Sequence, residues 1–204
     1  MKKLLSLLAL AALLAACDKP APSVGAAAPA ASAPLSFKNT DLTGAEYARD
    51  FALLDHNGTP RTLADYKGKV VVMFFGYTQC PDVCPTTMSE LAAAMKALGP
   101  QADQVQVLFV TIDPERDTPA LLAQYVPAFD PRFLGLYGDA AATAKVAKEF
   151  KVFYAKVPGK APGSYAMDHT AASYLFDRNG KLRLFVRHGQ GPAPIVHDLR
   201  LLLN

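Results

Sequence analysis

Cys80 and Cys84 stand four residues apart in Phe75-Gly-Tyr-Thr-Gln-Cys-Pro-Asp-Val-Cys-Pro-Thr-Thr-Met88. Residues at that spacing share a helix face, with Cβ atoms about 5–6 Å apart. Two thiols so placed can close a disulfide after slight tightening or clamp one soft ion. As a structural staple the pair adds little, because closing so short a loop removes little chain entropy. Thiolates select Cu(I), Zn(II) or iron–sulfur clusters by their softness. Two cysteines are too few for an all-cysteine cluster or a closed structural zinc site. A third ligand would most naturally be histidine.

The chain offers four histidines. His56 lies in a turn, His188 at a strand end before glycine, and His197 in the last helix. Each reads as an ordinary surface or capping residue. His169 stands in Tyr165-Ala-Met-Asp-His-Thr170, between a long loop and a predicted strand. From its surroundings in the sequence, a structural role and a ligand role both stay open.

The elements around these residues set where they meet. Lys69–Tyr77, KVVVMFFGY, is a nearly unbroken apolar and β-branched run and reads as a central strand buried on both faces. From Pro85 to Leu98, apolar residues recur at three- and four-residue spacing until Gly99-Pro100, which predicts a helix. The cysteines therefore sit where a buried strand ends and a helix begins. A helix N-terminus offers unpaired N–H groups and a positive dipole end, so at least one thiol is expected to have a lowered pKa.

Before that strand, Phe51–Asp55 and Thr59–Leu63 flank His56-Asn57-Gly58, a hairpin signal. After the helix come a second buried strand (Val105–Ile112), a loop and a helix to about Val126, with Asp117 or Thr118 as its cap. A strand (Phe133–Tyr137), a helix (Asp139–Phe150) and an extended stretch (Val152–Ala155) follow, then a loop over Lys156–Gly163. A hairpin of Ala171–Phe176 and Leu182–Val186 and a final helix over Pro194–Leu203 complete the order. Strands alternating with helices give a parallel sheet, to which the last hairpin adds antiparallel strands. The expected class is α/β: a thioredoxin-like central mixed sheet flanked by helices, with an N-terminal β-hairpin and an inserted loop or hairpin near the C-terminal half.

Three segments carry a resemblance. GYTQCPDVCPTTM, then FVTIDPERDTP, then YAMDHTAASYLFDRNG resemble, in that order, the motifs of the Sco/SenC family of copper-binding assembly factors for cytochrome c oxidase. The resemblance covers about Phe51 to Leu203. It implies that Cys80 and Cys84 are copper thiolates, that His169 is the histidine ligand, and that Cu(I) or Cu(II) is the metal. Asp82, inside the cysteine motif, would tune local charge or docking, and Asp168 would orient His169 from behind, although neighbours on an extended chain point apart. Asp113 matches a further motif position and also reads as a turn-forming aspartate before proline. The chain departs from the family's usual pattern in having no tryptophan and in its mode of attachment.

The implied partner is the copper-binding subunit of a haem–copper oxidase, together with a periplasmic copper donor and a thiol reductant. The rival function is a thiol–disulfide reductase acting on that subunit's cysteines, which needs Cys80 and Cys84 alone as a redox dithiol. A peroxiredoxin-like peroxidase fits less well. Such enzymes place a threonine three residues before the reactive cysteine, where this chain has Tyr77.

The start of the chain reads as an address. Lys2 and Lys3 precede an apolar run, Leu4–Leu14, too short to span a bilayer and fit for the core of an export signal. Leu14-Ala-Ala-Cys17 resembles a bacterial lipobox, which implies cleavage after residue 16 and lipidation of Cys17. The stretch 17–41 reads as a lipidated cysteine with an Ala/Pro-rich flexible tether, and 42–204 as the folded domain. The expected location is the bacterial envelope, at the periplasmic face of the inner membrane. With 21 basic against 18 acidic residues before processing, charge points to no nucleic-acid partner.

Overall fold

In the computed structural model, residues 35–204 are described; the expected signal, Cys17 and the tether up to residue 34 lie outside them. Among the described residues, ten strands and four α-helices follow one another. The strands are β1 (Thr40–Asp41), β2 (Leu53–Asp55), β3 (Pro60–Arg61), β4 (Val70–Gly76), β5 (Val105–Thr111), β6 (Leu134–Tyr137), β7 (Tyr154–Pro158), β8 (Tyr165–His169), β9 (Ala172–Phe176) and β10 (Leu182–Arg187). The helices are α1 (Val83–Leu98), α2 (Pro119–Tyr125), α3 (Ala140–Glu149) and α4 (Pro192–Leu203).

Eight strands form one mixed sheet in the order β1-β10-β9-β4-β5-β6-β2-β3. β4, β5 and β6 run parallel, and β9 joins β4 antiparallel. All seven residues of β4 are buried, as its unbroken apolar run requires of a strand covered on both faces. Right-handed crossovers place α1 and α2 on the same face of the three parallel strands, and α4 packs on α1. On the opposite face, Phe75 meets Phe150, which caps α3, at 5.2 Å between ring centroids. This mixed α/β layout is the thioredoxin-like arrangement expected from the alternation of elements.

Local chemistry sets the ends. Thr118 caps α2 by accepting from the Leu121 N–H, with Pro119 at the first helical position. Asp139 does the same for α3 through the Ala142 N–H at 2.7 Å. In the first hairpin Gly58 takes φ +81°, a conformation that glycine adopts without strain.

Two features differ from expectation. The last residues assigned to the tether form β1, which pairs with β10. What holds it is Asp198, a buried carboxylate on α4 that accepts from the N–H groups of Lys38 (2.8 Å) and Asn39 (2.9 Å). The inserted segment is a longer hairpin than expected. β7 and β8 pair over five residues each as a separate two-stranded sheet, and the stretch before His169 is a strand.

Candidate metal centre

β4 ends at Gly76, and the chain crosses the carboxyl edge of the sheet through Tyr77–Pro81 before α1 begins. Ligands gather at that edge in open parallel sheets. Cys84 lies in the first turn of α1 and is fully buried, whereas Cys80, in the preceding loop, is partly exposed. The Cys84 N–H, one of the orphan donors of a helix start, donates to Cys80 Sγ at 3.4 Å. Pro85 follows without cost, because its missing N–H falls where the helix has no acceptor.

Gly76 makes the burial of Cys84 feasible. A Cβ built on Gly76 would lie 2.9 Å from Cys84 Sγ and 2.9 Å from the Phe74 ring, closer than real Cβ contacts. The loop is held from its other side by Asp117, itself buried. Its carboxylate accepts from the Thr78 N–H (3.1 Å), Thr78 Oγ1 (2.6 Å) and Thr111 Oγ1 (2.6 Å).

His169 arrives from β8 and completes the group. Its Nε2 lies 3.5 Å from Cys84 Sγ, and the ligand atoms of Cys80, Cys84 and His169 all fall within 4.8 Å of one another. The imidazole sits edge-on to Phe74 and Tyr77, with centroids at 6.2 and 6.0 Å. Its Nδ1 faces the Thr170 carbonyl at 3.1 Å. A carbonyl only accepts, so Nδ1 carries the proton and the Nε2 lone pair points at the sulfurs. Burial pushes the His169 pKa down, partly offset by the Thr170 carbonyl and by Asp168, so the ring is neutral at pH 7.

Cys84 is not a thiol of the lowered pKa that was expected of at least one of the pair. Burial pushes the Cys84 thiol well up from its ordinary value, with the nearby Cys80 and Asp117 charges adding to it. Desolvation outweighs the helix terminus at this position. In the metal-free protein Cys84 is therefore a thiol, placed to donate its S–H to His169 Nε2.

The other sequence candidates sit as follows. Asp82 is exposed at the start of α1, where it accepts only from Thr86 Oγ1 at 3.4 Å. Asp168 is exposed and lies on the face of β8 opposite to His169; the Thr170 carbonyl, not Asp168, is the hydrogen-bond partner of the imidazole. Asp113 is buried and accepts from the Arg116 guanidinium and from Tyr165 Oη (2.9 Å), so it does more than start a turn. His56 accepts from the Gly135 N–H, His188 pairs with Thr87 Oγ1, and His197 pairs with Asp198; all three serve packing and lie outside the group. A shallow cavity of about 230 Å³ opens over Cys80, Pro81, Met167 and His169.

A family model described as SCO1/SenC matches residues 39–204. The chain belongs to the SCO1/SenC family. Among curated relatives, the mouse protein named mitochondrial SCO2 homolog is 39% identical over 153 residues. That match covers 74% of this chain and 60% of the mouse protein, so the chain spans less than two thirds of that relative. A SCO2-like protein of Rickettsia felis is 40% identical over 152 residues, 74% of each chain. Among solved structures, ScoI of Bradyrhizobium japonicum with copper bound is 45% identical. It superposes with a TM-score of 0.68 over 76% of this chain and 98% of that one. Apo Sco1 of Thermus thermophilus is 42% identical, with a TM-score of 0.74 over 82% and 98%. Yeast Sco1 with copper bound is 30% identical, with a TM-score of 0.68 over 74% and 85%.

Within this family frame, sequence reasoning missed the residues that position the ligands. Gly76 closes an otherwise apolar, bulky strand, and a glycine there signals close approach of another group. Asp117 reads as a helix cap beside Thr118, but its side chain turns inward to the cysteine loop. The charges packed into Asp113–Asp117 within an apolar neighbourhood were the available signal.

Proposed function

We propose that the chain is a copper chaperone that holds copper on Cys80 Sγ, Cys84 Sγ and His169 Nε2 and delivers it to the copper site of a haem–copper oxidase during assembly. The observation that carries this reading is the convergence of two sulfurs and an imidazole nitrogen within 4.8 Å, from segments 85 residues apart. Two thiolates with one neutral imidazole form a soft donor set that favours Cu(I). ScoI of Bradyrhizobium japonicum and yeast Sco1, each with copper bound, support it by likeness.

Copper is cargo in this scheme, and its transfer is a ligand exchange. Loading displaces the Cys84 proton, since thiolate rather than thiol is the ligand. A three-coordinate ion leaves one side open, and the partly exposed Cys80 and His169 face the shallow cavity through which a partner's soft ligand would approach. Tyr77 also lines that cavity, and the fully buried Phe74 and Cys84 lie on the core side. The lipobox-like start supports anchoring through Cys17 at the periplasmic face of the inner membrane. Retention of a processed Cys17→Ser protein in the membrane fraction, at the parental level, would argue against that anchor.

A second reading, reduction of the oxidase subunit's cysteines, draws on the two free thiols, one of them accessible. Oxidase maturation in low-copper medium separates the two. Delivery requires Cys80→Ser, Cys84→Ser and His169→Ala each to impair it, with added copper rescuing His169→Ala best. Full maturation with folded His169→Ala under copper limitation would favour the reductase.

A further inference from the structure

The hairpin that brings His169 to the cysteines shares no ladder with the main sheet, so something else must hold it closed. Three side-chain contacts tie it to the loop between β5 and α2. Lys156 on β7 pairs with Glu115 at 2.6 Å, but both are largely exposed, and such pairs contribute little. Tyr165 at the start of β8 donates its hydroxyl to the buried Asp113. Arg116 does most. Its Nε pairs with the Asp113 carboxylate, and its Nη1 donates to the Tyr165 carbonyl at 2.8 Å. Its guanidinium carbon also lies over the Tyr165 ring, 3.6 Å from the centroid. The same Nη1 donates to Gln79 Oε1 at 3.2 Å, one residue before Cys80.

Arg116 thus reaches both the cysteine loop, at Gln79, and the hairpin, at Tyr165, beside the direct packing of Tyr77 on His169. Its Nη2 is buried with no hydrogen-bond partner among the described residues, a cost the other contacts must outweigh. The next residue, Asp117, holds the cysteine loop through Thr78. Residues 113–117 therefore form a bracket, with Asp117 on the sulfur side and Arg116 with Asp113 on the imidazole side.

We propose that Arg116 is a positioning residue that closes the β7–β8 hairpin on the cysteine loop and so sets how firmly His169 serves as the third ligand. The proposal rests on the copper-site reading above and adds the control of one ligand by a group that never touches the metal. Lysine could not replace Arg116, because a single ammonium cannot stack on Tyr165 and fork to Asp113 and two carbonyl oxygens at once.

Two measurements test it, the first without metal. Amide hydrogen exchange of the reduced, metal-free protein should show residues 154–169 opening on the order of tenfold to a hundredfold more often in Arg116→Ala than in the parent. β4 and β9 should be unchanged. Arg116→Lys should lie between the two, Tyr165→Phe should show a smaller rise, and Glu115→Gln should match the parent. Anaerobic Cu(I) competition titrations then form a double-mutant cycle with His169→Ala. Arg116→Ala should weaken binding by roughly tenfold when His169 is present, the scale of outer partners of metal ligands, and not at all when it is absent. Unchanged hairpin exchange in Arg116→Ala would overturn the clamp. An equal loss of affinity in both backgrounds would show that Arg116 acts without His169, and would overturn the role assigned to it. If His169→Ala alone binds Cu(I) as the parent does, the ligand set itself fails and takes that role with it, while the metal-free exchange still judges the clamp separately.

Discussion

Cys84 is seated against β4, a strand buried along its whole length and paired on both edges, whereas His169 ends β8, one strand of a detached hairpin. The sulfur is held by close packing: a Cβ on Gly76 would lie within 3.0 Å of it and of the Phe74 and Phe109 rings. The imidazole is steered by polar contacts, its own to Thr170 and those of Tyr165 further along the strand. Close-packed interiors respond steeply to volume, while polar brackets at the surface can open and close at modest cost. A site that must keep its cargo and also give it up gains from having both kinds of support, a fixed sulfur and a releasable third ligand.

The largest effects should come from the fixed side. Cys80→Ser or Cys84→Ser leaves one thiolate, and Cu(I) affinity should fall by well over the roughly 10–100-fold that outer groups contribute. His169→Ala keeps both sulfurs and should fall less. Anaerobic competition titration of the three variants checks the order. A His169→Ala loss equal to either cysteine variant would erase the distinction between the two sides.

Next comes a substitution that removes no ligand. Gly76→Ala places a methyl 2.9 Å from Cys84 Sγ, and overpacking of this kind costs about 1–3 kcal/mol. Thermal melts of the metal-free protein should show that loss, and Cu(I) affinity should fall as the sulfur is displaced. Parental affinity in folded Gly76→Ala would mean that the sulfur side adapts as easily as the hairpin.

The difference between the two sides also governs what could be read from the sequence. β4 and α1 were legible because burial writes itself into composition and period: seven apolar residues in a row, then Met88, Leu91, Met95 and Leu98 on one face. The turn at Asn57-Gly58 was legible because its φ demands glycine. The cysteine pair announced its own chemistry by spacing. His169 did not, because nothing local records that residue 169 folds back onto residue 84, and only the resemblance of three motifs assigned it. β1 and β8 escaped for a related reason. β1 pairs with the distant β10 behind a segment held by Asp198, β8 folds back on β7 across a loop of glycine and proline, and their sequences, TD and YAMDH, alternate too weakly to declare a strand. The raised Cys84 thiol was missed because the helix terminus is visible in a sequence and the depth of burial is not.

Asp117 offers a smaller perturbation that touches the cysteine loop alone. Asp117→Ala strands the Thr78 N–H and two hydroxyls, and leaving buried groups unpaired costs about 1–3 kcal/mol. Hydrogen exchange should rise in residues 77–81 and stay at the parental level in β7 and β8. A rise in the hairpin of the same size would mean that the bracket moves as one piece and does not act on the two sides separately.

The smallest effect is expected far from the site, at Asp198, which ties residues 38–39 to α4. Burial alone would raise the pKa of this carboxyl, but hydrogen bonds from Lys38, His197 and Asn39 hold it below the ordinary carboxylate range. A carboxyl depressed in the folded state stabilises the fold fully above its unfolded pKa of about 3.9, and loses that contribution as pH falls through the folded value. Asp198→Asn should therefore lower the melting temperature at pH 7, and the gap to the parent should narrow as pH falls below about 4. Cu(I) affinity at pH 7 should be unchanged, because the docked segment before β1 reaches the rest of the fold through β10 and α4 and none of its contacts involves Cys80, Cys84 or His169. A pH-independent gap would assign the effect to lost packing in place of charge. A loss of affinity would show that the sheet edge, and not only the bracket at residues 113–117, helps to set the ligands.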